Sequence, residues 1–261
     1  MTPPDVPILM YHQVAPEGPD AFRKYFVTPK VFRSQMAWLR RTGYVPITLD
    51  ALRDARAGRG SLPARPVIIT FDDGFQACID HAVPILEDEG FTAVFYLVAG
   101  LMGKMSSWLI AERGCAFPLV DWRTARQLQA AGFQCGAHTM SHPRLTTLSP
   151  DACLDELLET RHRMEDRLSS PIRHLAYPFG DYDAHVRTLA EEAGYETACS
   201  VRIGLSRPDD DMLALHRVPV NGGESLLDFM SRLKTADTLS GNLRRMTTSI
   251  REEKIRRRRP Q

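Results

Sequence analysis

An apolar run, Val67-Ile68-Ile69-Thr70-Phe71, ends in two adjacent carboxylates and a glycine, Asp72-Asp73-Gly74. Downstream, His138-Thr139-Met140-Ser141-His142 supplies two imidazoles four positions apart. Taken alone, the carboxylates would read as a turn at a strand end, and the histidines as loop residues bonded to backbone. Taken together they read as a metal-dependent hydrolase, with one carboxylate and two histidines for a divalent ion and the second carboxylate free to act as a base. Side chains alternate along a strand, which predicts that Asp72 and Asp73 point to opposite faces and do different work. The histidine spacing predicts a helical turn with both rings on one face. Three protein ligands leave positions open for water and substrate, as in catalytic rather than structural sites. Zinc is the first expectation, and cobalt, nickel or iron would accept the same donors.

These residues need strands to carry them. Val67, Ile68, Ile69 and Thr70 are β-branched, which favours a buried strand with the carboxylates at its mouth. A glycine closes a helical pattern, and an aromatic opens the next segment, at Gly43-Tyr44, Gly90-Phe91, Gly132-Phe133 and Gly194-Tyr195. Thr28-Pro29 and Ser149-Pro150 each place a capping hydroxyl before a helix-starting proline. Between these marks the pattern predicts strands near 7–12, 66–71, 92–98, 134–138, 173–178, 196–201 and 213–219. It predicts helices near 29–42, 76–89, 121–131, 150–168, 184–193 and 225–234. Strands alternating with helices imply right-handed crossovers around a mainly parallel sheet. That sheet could be open and doubly wound. An irregular (β/α) barrel of about seven parallel strands is the expectation, because the candidate residues come from several strand ends that must converge. In helix 29–42, Phe32, Met36 and Leu39 recur at core-packing spacing. Residues 99–120 read as a long loop with a short helix, a wall or lid for substrate. Trp108 within it could face the substrate or simply anchor the loop.

Length and composition suit one catalytic domain over residues 1–236, followed by an extension over 237–261. The formal charge of +1 hides an asymmetry. Residues 251–261 hold six Lys/Arg against two Glu, leaving 27 Lys/Arg against 30 Asp/Glu elsewhere. A slightly acidic body argues against a nucleic-acid protein. The basic tail is expected to be solvated, with weak contact to an anionic surface through Arg256–Arg259 as the alternative. No apolar run could span a membrane, and the N-terminus lacks the pattern of a secretory signal, so a cytoplasmic site is expected. Five widely spaced cysteines fit reduced, buried thiols better than a disulfide framework.

Thr70-Phe71-Asp72-Asp73-Gly74, His138-Thr139-Met140-Ser141-His142 and Tyr177-Pro178-Phe179-Gly180 resemble the first three motifs of NodB-type polysaccharide deacetylases, carbohydrate esterase family 4. The resemblance covers about residues 7–220. The first two motifs together are specific where either alone is only suggestive. Ile8-Leu9-Met10-Tyr11-His12-Gln13-Val14 is similar to the opening of the circularly permuted branch, which includes poly-N-acetylglucosamine deacetylases.

The resemblance implies the NodB-type barrel and hydrolysis of an N-acetylated amino sugar to acetate and a free amine. It implies Asp73, His138 and His142 as metal ligands, Asp72 as the general base, and the Phe179 N–H as an oxyanion donor. The general acid is His12 if the permuted branch is followed, or His216, in Leu213-Ala214-Leu215-His216, if the unpermuted one is. The Tyr11-His12 context is the better match. Many members of the family carry arginine where this chain has Ala176, so the usual partner of the base is missing and the orientation of Asp72 is left unexplained. His81, His162, His174 and His185 read as structural or surface residues. Two other readings stand beside the polysaccharide deacetylase: a deacetylase or deformylase of a lipid-linked sugar intermediate, and a carbohydrate-binding relic without turnover. The partner in each case is a carbohydrate, and oligomeric state is not legible.

Overall fold

The runs read as strands form seven parallel strands: β1 (Ile8–Tyr11), β2 (Pro66–Phe71), β3 (Val94–Leu97), β4 (Gln134–Ala137), β5 (His174–Ala176), β6 (Thr197–Ile203) and β7 (Leu215–Pro219). Each pairs with its neighbour in chain order, and β1 pairs both with β2 (Ile8 opposite Ile68, Tyr11 opposite Phe71) and with β7 (Leu9 opposite Val218). The sheet therefore closes on itself into a barrel. A short extra strand, Val45–Pro46, extends β2 at its start. This computed structural model describes residues 4–236. The extension 237–261, with Arg256–Arg259, lies outside the described residues. Among those described, no helix is long and apolar enough to cross a membrane.

Closure buries both faces of the strands except at the exposed end of β6 (Val201–Ile203), which is why β2 reads as a continuous apolar run rather than an alternating one. Inward residues Ile8, Ile68, Val94, Tyr96, Ala176, Cys199 and Leu215 fill the barrel. Gly136 on β4 leaves room for the Tyr96 ring, since a Cβ there would lie 2.5 Å from it. Outward residues such as Leu9, Ile69, Phe95, Ala137 and Leu175 pack under the surrounding helices. Those helices are α1 (Pro29–Arg41), α2 (Leu49–Arg56), α3 (Gln76–His81), α4 (Val83–Glu89), α5 (Trp108–Arg113), α6 (Trp122–Ala130), α7 (Pro150–Leu168), α8 (Ala184–Glu192) and α9 (Leu226–Thr235). In α1, Phe32, Met36 and Leu39 are fully buried, as their spacing predicts.

Two differences from the expected elements have physical causes. The predicted helix 76–89 is two helices, because Pro84 has no N–H to donate and the second helix starts afresh at Val83. The helix α2 carries no strong sequence signal. It is one short amphipathic piece capped by Thr48, whose hydroxyl accepts from the Ala51 N–H. Leu49 and Leu52 join the barrel-interior cluster, and the Leu49 N–H donates to Gln134 Oε1 at the start of β4. Thus α2 stoppers the N-terminal end of the barrel and leaves only the opposite end for a site. All five cysteines are free thiols, four of them buried.

Candidate active site

The site stands at the C-terminal ends of the strands, where parallel barrels place their chemistry. His12 follows β1, Asp72 and Asp73 follow β2, His138 and His142 follow β4, Phe179 follows β5, and Arg217 comes from β7. An open cleft of about 400 Å³ is lined by His12, Asp72, Asp73, His138, His142, Phe179 and Trp108, and also by Lys24, Tyr25, Arg113, Arg144 and Asn221.

Strand alternation does not separate the two carboxylates. The strand β2 stops at Phe71, and Asp73 has φ 74°, in the left-handed region. The turn brings both side chains into the cleft, Asp72 3% and Asp73 5% exposed. The histidines likewise sit on no helical turn. Their loop is irregular, with Thr139 at φ 64° and His142 at φ 62°. It is held by its surroundings: Glu156 of α7 accepts from the N–H groups of Met140 (2.8 Å) and Ser141 (3.2 Å). The Ala99 and Gly100 N–H groups donate to the carbonyls of Thr139 and Met140. Only glycine permits that approach, because a Cβ on Gly100 would lie 2.4 Å from the Met140 oxygen.

Within this frame Asp73 Oδ1 faces His138 Nε2 at 3.3 Å and His142 Nε2 at 3.2 Å. One ligand atom from each of the three residues lies within 4.8 Å of the others. His138 Nδ1 is 2.7 Å from the Ala176 carbonyl, which can only accept. The Nδ1 therefore carries a proton and Nε2 is turned toward Asp73, whose charge raises the His138 pKa against the effect of burial; a histidine so oriented is placed as metal-binding histidines are. Burial lowers the His142 imidazole below its ordinary range, keeping it neutral, and its buried Nδ1 has no hydrogen-bond partner. Burial would raise Asp73, yet the two histidines hold it far below the usual carboxylate range. A buried, ionised carboxylate between two imidazoles is costly without a cation. The donor set therefore fits a divalent ion.

Asp72 is already neutralised. Arg217 Nη1 donates to its Oδ1 at 2.6 Å and Nη2 to its Oδ2 at 2.7 Å, a buried bidentate pair. Burial acts to raise the Asp72 carboxyl, but the charge and hydrogen bonds of Arg217 outweigh it and the net shift is downward. Arg217 also donates from Nε to the Ser200 carbonyl at 2.8 Å. Between the Leu215–Cys199 and Arg217–Ile203 pairs the β6–β7 register slips, the kind of irregularity that re-aims a side chain beside a site. Arg217 thus partners the carboxylate whose orientation the sequence left unexplained. Its one signal was a charged residue inside the apolar run Leu213–Val220, the mark of a buried ion pair.

The two candidate acids part company. His12 lines the cleft, its ring 4.8 Å from that of Tyr25, and burial lowers its pKa despite the raising effect of Asp73 and Asp72. His216 is not brought to this cleft. It lines a separate polar cavity, its Nδ1 3.1 Å from Asp210 Oδ2. Phe179 takes φ 58° in its Pro-Phe-Gly turn and sets its ring edge-on to His142 at 4.6 Å. Trp108, at the start of α5, stacks on His142 at 4.4 Å and 15°. The excursion 99–120 walls the cleft with Trp108, Leu109, Glu112 and Arg113, and the Val120 N–H at its end donates to the Gly74 carbonyl.

A seven-stranded parallel barrel with this carboxylate–histidine cluster at its mouth defines a class, and comparison with known proteins gives it a name. The chain belongs to the polysaccharide deacetylase family, whose sequence pattern matches residues 59–198. That span contains the carboxylate pair, His138, His142 and Phe179, but neither His12 nor Arg217. A relative in Bacillus subtilis (strain 168), YxkH, itself named only provisionally as a polysaccharide deacetylase, is 26% identical over 223 residues, 85% of this chain and 74% of that protein. The poly-beta-1,6-N-acetyl-D-glucosamine N-deacetylase of Escherichia coli (strain K12) is 37% identical over 87 residues, 33% of this chain and only 13% of that protein. Among solved structures, Streptococcus pyogenes deacetylase PplD in complex with acetate superposes with a TM-score of 0.78 at 23% identity, covering 89% of this chain and 100% of that one. IcaB from Ammonifex degensii gives 0.75, also at 23% identity, over 89% of this chain and 97% of that one. At that identity the two structures bear on the fold.

Proposed function

We propose that this chain is a metal-dependent hydrolase that removes N-acetyl groups from amino sugars of a polysaccharide or glycan. The observation that carries the reading is the joint presence, in one cleft, of the Asp73–His138–His142 donor set and an Asp72 carboxylate clamped by Arg217. Asp73, His138 and His142 would hold the ion, zinc in the first instance. Bound there, a divalent ion supplies Lewis-acid polarisation of a carbonyl and a lowered pKa for water.

The chain's own groups do the rest. Arg217 keeps Asp72 ionised and fixes both its oxygens, while each oxygen retains a lone pair for a further proton. Asp72 takes a proton from the water that attacks the acetyl carbon. The Phe179 N–H donates to the carbonyl oxygen as negative charge develops there, a contact typically worth about 2.7–4 kcal/mol. His12 gives a proton to the nitrogen as the carbon–nitrogen bond breaks, because an amide nitrogen leaves poorly as an anion. Acetate and a free amino sugar are the products. Trp108 and Tyr25 offer aromatic faces to the sugar ring.

The test is acetate release from a panel of acetylated amino-sugar oligomers by protein as purified, after chelation, and after return of zinc. Release that chelation abolishes and zinc restores is the expected result. Release unaffected by chelation would overturn the metal dependence, and none from any acetylated sugar by metal-loaded protein would overturn the activity.

A further inference from the structure

We infer that the cleft selects amino sugars bearing an acidic group, phosphate or carboxylate, close to the acetylated nitrogen, and that Lys24 and Arg113 recognise it. This rests on the deacetylase reading above and narrows its substrate. Three cations line the cleft, Lys24, Arg113 and Arg144, against one rim carboxylate, Glu112. Of the deeper carboxylates, Asp72 is matched by Arg217 and Asp73 belongs to the donor set. Glu112 lies 3.4 Å from Arg144. Among the described residues, neither Lys24 nor Arg113 has a carboxylate at ion-pair distance.

These cations are exposed at the cleft rim, and each lies against an aromatic ring. Lys24 Nζ lies 5.6 Å and the Arg113 guanidinium carbon 5.3 Å from the centre of the Tyr25 ring. Arg113 Nη2 also donates to the Tyr25 hydroxyl at 3.2 Å. The Arg144 guanidinium carbon stands 4.1 Å from the centre of the Phe179 ring. Two like charges sharing one ring repel each other, and an anion between them would turn that repulsion into attraction. The concentration of charge is local, because residues 1–250 carry 27 Lys/Arg against 30 Asp/Glu.

Position narrows where on the sugar the acid would stand. The Tyr25 ring is 4.8 Å from that of His12, the group assigned to protonate the departing nitrogen. The cationic wall therefore stands one aromatic ring away from the reacting centre. That distance suits a substituent on a carbon neighbouring the acetylated one. A phosphate or carboxylate there would meet the planar fork of Arg113 and the point charge of Lys24. A neutral sugar would have only the aromatic faces to bind.

Binding to the full-length, zinc-loaded chain is measured by titration calorimetry with N-acetylglucosamine, N-acetylglucosamine 1-phosphate and N-acetylmuramic acid. At low salt at least one acidic sugar is expected to bind about tenfold or more tightly than the neutral one, with the preference falling as salt is added. The 1-phosphate and the muramic acid arms separate phosphate from carboxylate. In Lys24→Gln/Arg113→Gln the preference should shrink to about twofold or less, and Lys24→Arg should retain it. Both side chains are exposed, so neither change threatens the core. Equal binding of neutral and acidic sugars by the wild type would overturn the inference. So would a preference that survives the double substitution, which would put the anion on the metal site. Acetate release is followed on the oligomer panel above. Its absence there with the preference intact would defeat the deacetylase reading alone and leave the anion site standing.

Discussion

Replacing Arg217 with methionine keeps most of the side-chain volume and removes the charge that Asp72 depends on. The pair is fully buried, with contacts of 2.6 and 2.7 Å. Removing one partner of such a pair strands the other charge in the interior, at a cost of about 3–5 kcal/mol. For a chain of this size that corresponds to a fall of roughly 6–20 °C in Tm. The pH dependence follows from the shifts. In the wild type the Asp72 carboxyl titrates below its ordinary value of 3.8, so the pair's stabilisation is in place above that value and is lost as pH falls through the folded pKa. In Arg217→Met the main opposition to burial is gone and only the charges of His138 and His12 remain against it, so the folded pKa rises and the deficit opens as pH rises from about 4. The gap in Tm between wild type and variant should therefore be widest near neutral pH and narrow toward pH 4. Asp72→Asn/Arg217→Met, which removes both charges, should recover part of the loss. Thermal unfolding of wild type, Arg217→Met, Asp72→Asn and the double variant across that pH range, with acetate release measured in parallel, closes the cycle. A single variant as stable as wild type at neutral pH, or a double variant no more stable than Arg217→Met, would refute the reasoning.

The metal assignment predicts about one divalent ion per chain, with elemental analysis showing it lost or sharply depleted in His138→Ala; equal content in both proteins would remove the donor set from consideration. Asp72→Asn should lower turnover about 10²–10⁴-fold while keeping the ion, whereas Asp73→Asn should lose it, and matching losses would mean the two roles are reversed. His12→Ala should lower kcat at least about 100-fold with metal retained, and His216→Ala about tenfold or less. The proposed mechanism requires Asp72 ionised and His12 protonated, and burial puts His12 below its ordinary 6.5, so the wild-type profile should fall as pH rises through a value under 6.5. An alkaline limb that persists unchanged in His12→Ala would assign the proton to another group.

The fold was legible because its signals are local. A β-branched run, a glycine cap and a proline after a capping hydroxyl each act within a few residues, and all seven barrel strands lie where those marks predict them. What was not legible depends on distant partners. Arg217 meets Asp72 across 145 positions, and nothing near either residue announces the other. The stopper helix α2 is recognisable only once the end of the barrel it closes exists. Lys24, Arg113 and Arg144 read as ordinary surface charge until the cleft gathers them.

The misjudged geometry around the carboxylates and histidines has one cause, and it bears on how such a site is built. Strand alternation and helical spacing assume regular backbone, whereas the described residues place only six non-glycine positions at positive φ. Two of them, Ser169 and Ala236, merely cap helices. The other four, Asp73, Thr139, His142 and Phe179, are all at the site. Each such conformation costs of order 1–3 kcal/mol, so it persists only where surrounding contacts over-determine it. Those contacts are present: the carboxylate of Glu156, the Thr139 hydroxyl accepting from the His142 N–H at 3.0 Å, and the N–H groups of Ala99 and Gly100 on the histidine loop. Regular continuation of β2 would send Asp72 and Asp73 to opposite faces. The left-handed turn instead directs one carboxylate to Arg217 and the other to the histidines, within a single cleft. Backbone strain is the means by which two adjacent residues acquire different partners in the same site.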